Sequence, residues 1–366
     1  MSGIEIGLLS VAGMLLLIYA GMHVGVALTL LSFIGVWLLR DNIAVANNLV
    51  AQAASDAISD YIFGVVPLFV LMGLLVSIAD IGRDAFDVAN QVFRRVRGGL
   101  GIATVAANAV FAAITGISIA SAAVFTKVAV PEMLRHRYTP RFSVGVVAGS
   151  SVLGMLIPPS LLLILFGVLS EQSVGKLFIA GIIPGIVLAV AYSVGIVAMG
   201  YLRPGFVGGT ATLGGADQPL MSADEIATKM LPIVLLVGLV LGGIYGGLFT
   251  PTEAGAVGAL GSLVIAVAKR RLTWRGFWRV LVETGHITAA ICFLIIAASL
   301  YSRFLAMSGL TDFLAHYIAD SGLGLHGMLA IFIAVVIALG CIIDSSSIML
   351  ITLPLVLPVM VGLHVD

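Results

Sequence analysis

The sequence has few charged residues and few cysteines. Charged side chains make up 10% of the 366 residues, and 18 basic side chains are balanced by 18 acidic ones. This balance leaves no basic surplus for binding nucleic acid and no polybasic face. Cys292 and Cys341 lie in apolar stretches without the spacing of metal ligands, which argues against a zinc site or a disulfide.

No stretch is both long enough and polar enough for a soluble domain. Hydrophobic residues account for 60% of the chain, whereas soluble domains contain about 45–50%. The first apolar run has no basic start and no obvious small-residue cleavage site, and it continues to Leu39, so we interpret it as mature protein rather than a secretory signal. The sequence predicts an all-α, multi-pass integral membrane protein.

The apolar runs differ in length, and the differences carry information. They lie at about 5–39, 62–80, 100–133, 142–170, 177–202, 230–248, 250–268, 281–306 and 324–361. The runs 100–133 and 324–361 exceed the roughly 20 residues of one crossing, and each has a polar or Gly/Ser-rich centre. This pattern is typical of a re-entrant helical hairpin. The run 5–39 fits either two short spans or one long tilted span.

The two long runs resemble each other and differ in their charged flanks. GLG at 99–101 matches GLG at 322–324, and TGISIAS at 115–121 lies opposite LGCIIDS at 339–345. Basic residues flank the first run on both sides, whereas residues 316–327 contain no Lys or Arg. Because Lys and Arg concentrate in cytoplasmic loops, the first hairpin is predicted to enter from the cytoplasm and the second from the opposite side.

This charge pattern predicts an inverted repeat. Its parts are a first repeat at 1–202 with scaffold helices, hairpin 1 at about 100–133 and a broken helix at 142–170, a cytoplasmic linker at 203–228, and an incomplete second repeat at 229–366 with hairpin 2 at about 324–361.

Hydroxyl-bearing and helix-breaking residues mark the candidate site. Thr115, Ser118 and Ser121 surround the centre of hairpin 1, where hydroxyls and freed carbonyls supply oxygen ligands for a hard monovalent cation. Pro158 and Pro159 cannot continue a helical ladder, so they predict a break with released carbonyls. The alternatives are packing of small residues in the hairpin and a simple kink at the prolines.

Hairpin 2 contains one acid, Asp344, beside three serines. An ionisable group at membrane depth is a functional candidate because its burial is costly. The alternative is a carboxylate that only fixes the turn. Half-helix N-termini at both turns favour an anionic group such as a carboxylate.

Two further patterns limit the possibilities. Thr250, Pro251 and Glu253 predict a helix start, with a capping hydroxyl, proline at the first position and an acid in the first turn. The sequence has no HExxH or GxSxG motif and no acid pair typical of an intramembrane protease, so it does not indicate an enzyme.

Taken in order, TGISIASAAV, PEM, SSVLGMLIPPSLLLILFG and GGIYGGLFTPTEA resemble the large permease subunit of tripartite ATP-independent periplasmic (TRAP) transporters. The resemblance covers essentially the whole chain. It implies an elevator-type transporter of the bacterial inner membrane that couples to Na+ and uses no other cofactor. It also implies two partners, a small four-helix membrane subunit and a periplasmic substrate-binding protein.

The resemblance also implies site residues. The first sodium site falls on Thr115, Ser118, Gly154, Ile157 and Pro159, and Gly340 belongs to a second site. The remaining ligands of that second site belong to a later Thr-Pro-Pro segment that does not occur before Asp366, so we expect a C-terminally truncated sequence. Ile117 and Ser121 stand where the common pattern has serine and aspartate.

We therefore expect a sodium-coupled symporter subunit for small organic acids. Weaker candidates for contact with an anionic substrate are Ser121, Ser160, Asp344 and Ser345. Two alternatives remain: a symporter of the same superfamily that needs no binding protein, and an intramembrane enzyme, which would require a nucleophile or an acid pair at depth.

Overall fold

The computed structural model describes residues 2–59, 61–208, 220–320, 324–341 and 343–362. These residues form helices α1 to α17, which are Gly3–Tyr19, Val24–Arg40, Ile43–Ser59, Val65–Ile78, Ile81–Phe93, Gly99–Thr115, Ser118–Arg135, Pro140–Ser151, Leu153–Leu156, Leu161–Ser170, Val174–Leu202, Ala223–Tyr245, Pro251–Ala268, Trp274–Ser308, Leu310–Asp320, Gly324–Gly340 and Ser345–Gly362. Short 3₁₀ turns and one isolated bridge between Tyr138 and Val207 complete the described structure. The predicted all-α class is confirmed.

Several helices are suited to a bilayer. Within the described ranges, five segments are long and apolar enough to cross it, namely Pro140–Ser170 (α8 to α10), α11, α12, α13 and α14. A sixth is possible if α4 and α5, which meet at a bend of 62°, count as one span. The paired helices of both predicted hairpins are about one crossing long or shorter, as a hairpin that turns back requires.

The chain forms two compact units. The first comprises Met1–Phe63, Val168–Glu171 and Ala289–Asp366, and the second comprises Gly64–Gly167 and Gln172–Thr288. These units do not coincide with the two predicted repeats, because each repeat contributes to both. The division into inverted repeats remains a prediction.

The core of the first unit surrounds the C-terminal part of α14. Tyr301 and Phe304 are fully buried there among apolar residues of α1, α2 and α17. The Tyr301 hydroxyl lies 3.2 Å from Ser10 Oγ, so the buried phenol has a polar partner. The run 5–39 divides into α1 and α2 around Gly21, whose φ of 90° suits only glycine.

The second unit contains an amphipathic helix, α5, that lies outside the predicted apolar runs. Its buried face includes Ile81, Ala85 and Phe86. Two acids of this helix form ion pairs, Asp84 with Lys269 after α13 and Asp87 with Lys229 of α12. Asp80, the residue just before the helix, pairs with Arg271. The polar face of α5 thus contacts basic residues, and its apolar face is buried.

The start of α13 has the predicted form. Thr250 caps the helix, Pro251 is its first residue, and Thr250 and Glu253 complete a reciprocal capping box. Close packing against α4 follows, because a β-carbon on Gly255 would lie 3.0 Å from Leu68 and one on Gly258 would lie 2.4 Å from Met72 Sδ. These glycines let the two helices approach closely.

The described beginning of the predicted linker is attached to the corner after α7. Thr139 donates its hydroxyl to the Phe206 carbonyl at 3.0 Å, next to the bridge between Tyr138 and Val207. Burial raises the pKa of Tyr138 to about 12, so its phenol stays neutral at physiological pH. Linker residues 209–219 lie outside the described residues, as do residues 322 and 323 of the second GLG motif, and α12 already begins at Ala223.

Candidate functional site at two helix breaks

Hairpin 1 is a helix–turn–helix whose turn depends on glycine. Helix α6 ends at Thr115, and Gly116 follows with a φ of 61°. Ile117 is extended and precedes α7, which begins at Ser118. The left-handed conformation costs an ordinary residue about 1–2 kcal/mol, so Gly116 is the residue type that this turn favours. The predicted hairpin turn is confirmed.

The predicted broken helix is also confirmed. Helix α9 ends at Leu156, and α10 begins at Leu161. A helical ladder would bond the carbonyls of Gly154 and Met155 to the amides of residues 158 and 159, but both are prolines and have no N–H. Ser160 replaces one lost donor, because its hydroxyl lies 2.5 Å from the Met155 carbonyl oxygen. The Gly154 carbonyl remains without its helical donor.

The hairpin turn and the helix break touch each other in the second unit. A β-carbon on Gly116 would lie 2.2 Å from the Pro159 carbonyl oxygen. The Leu161 amide donates to the Gly116 carbonyl at 3.1 Å, which joins the two breaks through the backbone. On the other side, a β-carbon on Gly154 would lie 3.1 Å from the Ser118 nitrogen. We call this contact region, residues 115–118 with 154–160, the break junction.

The break junction has the chemistry of a cation site without a formal charge. Neither stretch contains an ionisable side chain. Thr115 and Gly154 are buried, and each lies near the C-terminal end of a helix, where carbonyls point outward and partial charge is negative. Backbone and hydroxyl oxygens are the ligands that hard cations prefer. The N-termini of α7 and α10 also lie here and favour an anionic group nearby.

All five residues predicted for the first sodium site belong to the break junction. Ser118 and Ile157 are half-buried, and Pro159 is buried. The Thr115 hydroxyl donates to the Phe111 carbonyl at 3.0 Å, which leaves its oxygen lone pairs as acceptors. The structure therefore brings these residues into one region, while their binding of sodium remains a prediction.

A buried polar network supports the break junction, and its central residue, Asn108, was not among the residues predicted from the sequence. Asn108 on α6 is fully buried, accepts a hydrogen bond from Ser121 of α7, and donates to Ser150 Oγ of α8 at 2.7 Å. One side chain thus ties both hairpin helices to the segment that leads into the break. The only sequence signal was a lone amide in an apolar helix.

The two predicted substrate residues of the second unit, Ser121 and Ser160, have hydrogen-bond partners. Ser121 is fully buried and donates to Asn108, as just described. Ser160 is fully buried and its hydroxyl also accepts from the Leu163 amide at 3.4 Å, so it caps α10. Both hydroxyls therefore help to hold the break junction together. A role in substrate contact remains a prediction for each.

Hairpin 2 belongs to the first unit and breaks after Gly340, which is exposed at the end of α16. Asp344 precedes α17 and accepts hydrogen bonds from the Ser347 amide, at 3.1 Å, and from the Ser347 hydroxyl. Its carboxylate therefore caps α17, as the turn-fixing alternative predicted. Ser345 is the half-buried first residue of that helix. The substrate role of Asp344 and Ser345 remains a prediction.

Discontinuous helices that meet at a polar junction inside an all-α membrane protein are typical of membrane transporters. A family model described as tripartite ATP-independent periplasmic transporter, DctM component, matches residues 11–366. The chain belongs to this family. It is a transporter permease of the inner membrane and not an enzyme.

Several curated relatives are transporter permeases of this family. A C4-dicarboxylate TRAP large permease of Pseudomonas aeruginosa is 33% identical over 82% of this chain and 69% of its own length. A sialic acid TRAP large permease of Vibrio cholerae is 31% identical over 98% of this chain and 82% of its own. An ectoine/5-hydroxyectoine TRAP large permease of Ruegeria pomeroyi is 28% identical over 96% of this chain and 81% of its own.

Proposed function

We propose that this chain is the membrane-embedded large subunit of a sodium-coupled importer of small organic acids. The observation that carries the proposal is the break junction, where two helix C-termini and two helix N-termini meet at positions with no ionisable side chain. Such a junction suits a cation on the carbonyl side and an acid group on the amide side.

Sodium is the proposed coupling ion, and no other cofactor is proposed. Its first site would use oxygens of Thr115, Ser118, Gly154, Ile157 and Pro159. Support comes from the missing donor to the Gly154 carbonyl and from the burial of Thr115 and Gly154. Gly340 at the end of α16 is proposed to contribute to a second site.

The proposed substrates are small molecules with an acid group. The ligands named for the relatives, C4-dicarboxylate, sialic acid and ectoine, all carry a carboxylate. Ser121, Ser160, Asp344 and Ser345 remain candidates for substrate contact. Motion of one part of the protein against the rest, in the manner of an elevator, is the proposed route across the bilayer.

Large permeases of this family work with a substrate-binding protein and usually with a small membrane subunit. We propose both partners for this chain, the second of them a four-helix protein. The alternative is an ion-coupled symporter that needs no binding protein, and the two differ in whether uptake requires the added protein.

Uptake into membrane vesicles tests the proposal. With the binding protein present, labelled acid should accumulate under an inward sodium gradient, and replacement of sodium by potassium should abolish uptake. Equal uptake on a proton gradient alone would contradict sodium coupling. Unchanged uptake without the binding protein would favour the alternative symporter.

A further inference from the structure

The first unit contains a cavity that the proposed sodium site does not use. Its volume is about 220 Å³, and its walls come from the end of the broken helix, from α14 and from α17 of hairpin 2. Its polar lining residues are Glu171, Ser299, Ser302 and Arg303, and Leu353, Pro354 and Leu357 form an apolar wall. The cavity is therefore amphipathic.

Three of the polar residues occupy one face of α14. Ser302 and Arg303 follow Ser299 by three and four positions, which places each of them beside Ser299 on the helix surface. Arg303 lies inside the apolar span Trp274–Ser308, near its end. A charged residue within such a span is costly and marks a functional site by default.

The cavity lining contains one negative residue, Glu171, and one positive residue, Arg303. Arg303 forms an ion pair with Asp56, which is not among the lining residues. Arg303 Nη2 donates to Asp56 Oδ2 at 2.7 Å, so Asp56 of α3 balances the guanidinium. That bond uses one of the five N–H donors of the guanidinium. Glu171 adds a negative charge at the end of the broken helix. Arg303, Asp56 and Glu171 together carry one net negative charge, which disfavours binding of a dianion. Arg303 and Glu171 present opposite charges at different positions in the cavity.

We propose that this cavity is a binding site for a small zwitterion, a molecule with both a carboxylate and a cationic nitrogen group. Arg303, with the hydroxyls of Ser299 and Ser302, binds the carboxylate, and Glu171 binds the cationic group. The wall from hairpin 2 packs against the carbon skeleton. This inference rests on the proposed function, because it narrows the substrate class of the same transporter.

The location of the cavity fits an entry site. The basic segment 135–141 precedes the apolar run 142–170, and the basic segment 269–279 precedes the run 281–306. If both basic segments are cytoplasmic, each run crosses outward, so Glu171 and Arg303 lie toward the extracytoplasmic side. A substrate released on that side would meet this cavity before it reached mid-membrane.

Cysteine labelling tests the site without any need for transport or for a sodium gradient. In full-length protein with Cys292 and Cys341 replaced by alanine, Ser302→Cys is labelled with an anionic or a cationic methanethiosulfonate reagent. Arg303→Gln should lower the ratio of anionic to cationic labelling rates roughly threefold or more, and Glu171→Gln should raise it. Asn47→Cys, on the exposed face of α3, is the control, and its ratio should not change.

Ligand protection completes the test. Ectoine, used as the zwitterionic probe, should slow labelling of Ser302→Cys at concentrations at which succinate does not, and Glu171→Gln should remove that difference. Equal protection by succinate would overturn the zwitterion assignment. An unchanged labelling ratio in both charge variants, with no protection by ectoine, would show that the Arg303–Asp56 pair is only structural. Neither outcome bears on sodium-driven uptake, which is measured separately.

Discussion

Gly116 is the residue on which the break junction depends most. Its φ of 61° disfavours any other residue, and a β-carbon there would lie 2.2 Å from the Pro159 carbonyl oxygen. We predict that Gly116→Ala costs at least about 1–2 kcal/mol of stability and separates the turn from the helix break. Thermal unfolding of the purified protein and sodium-driven uptake measure the two effects.

Gly145→Ala is the matched control for that variant. Gly145 lies in α8 and a β-carbon there would have nothing within 4 Å. An alanine in a helix interior is favoured over glycine by roughly 0.5–1 kcal/mol. Stability should therefore rise slightly and uptake should persist. Equal effects of the two substitutions would contradict the role of Gly116.

Asn108 is predicted to position hairpin 1 against the segment that enters the break. Asn108→Ala would leave the buried hydroxyls of Ser121 and Ser150 without their shared partner. Loss of a buried partner costs about 1–3 kcal/mol. We expect a lower unfolding temperature and a weaker apparent affinity for sodium, whereas Asn47→Ala on an exposed helix face should change neither. Normal sodium affinity in a folded Asn108→Ala protein would contradict this role.

At the scale of helices, the sequence predicted those elements that follow from the covalent structure of particular residues or from a local residue pattern. Pro158 and Pro159 lack amide hydrogens, so the helix break follows from their chemistry alone. The turn at Gly116 was predicted from the small and hydroxyl-bearing residues around it. The two helices within 5–39 remained ambiguous, because the separating residue Gly21 is small and apolar runs continue on both sides.

Other elements could not be predicted because their stability depends on distant residues. Helix α5 is amphipathic, and its acids find partners such as Lys229 and Lys269 far along the chain. The hydrogen bonds of Asn108 join α6 to α7 and α8, so its role depends on the packing of three helices. The cavity beside Arg303 likewise depends on residues from α10, α14 and α17 that no local pattern connects.

The ion pair between Asp87 and Lys229 is predicted to attach α5 to α12. Asp87 Oδ2 lies 2.8 Å from Lys229 Nζ, and both side chains are partly shielded from solvent. A double-mutant cycle with Asp87→Ala and Lys229→Ala should give a coupling energy of about 0.5–1 kcal/mol, larger than that of an exposed pair. Shifts in unfolding temperature at low and high salt measure it.

The pair Arg135–Glu132 is the comparison for that cycle. Its atoms are 3.8 Å apart, and the arginine side chain is 76% exposed. Its coupling should be close to zero. A larger coupling for this pair than for Asp87–Lys229 would show that α5 is held by its apolar face alone.

At the scale of the whole molecule, the five predicted residues of the first sodium site all fall in the second unit. Hairpin 2, with Gly340 and Asp344, falls in the first unit. Each unit therefore contains one of the two predicted hairpins. The proposed coupling mechanism therefore makes its most specific claim about the second unit, namely that the break junction binds sodium.

Sodium-dependent thermal stabilisation of the purified full-length protein tests that claim most directly. A ligand that binds only the folded state stabilises it by RT ln(1 + [L]/Kd), so the unfolding temperature should rise with NaCl and not with KCl at equal ionic strength. The double variant Thr115→Ala/Ser118→Ala, which removes the two side-chain oxygens, should lose most of this rise while still unfolding cooperatively. An equal rise in KCl, or an undiminished sodium effect in the double variant, would contradict the account.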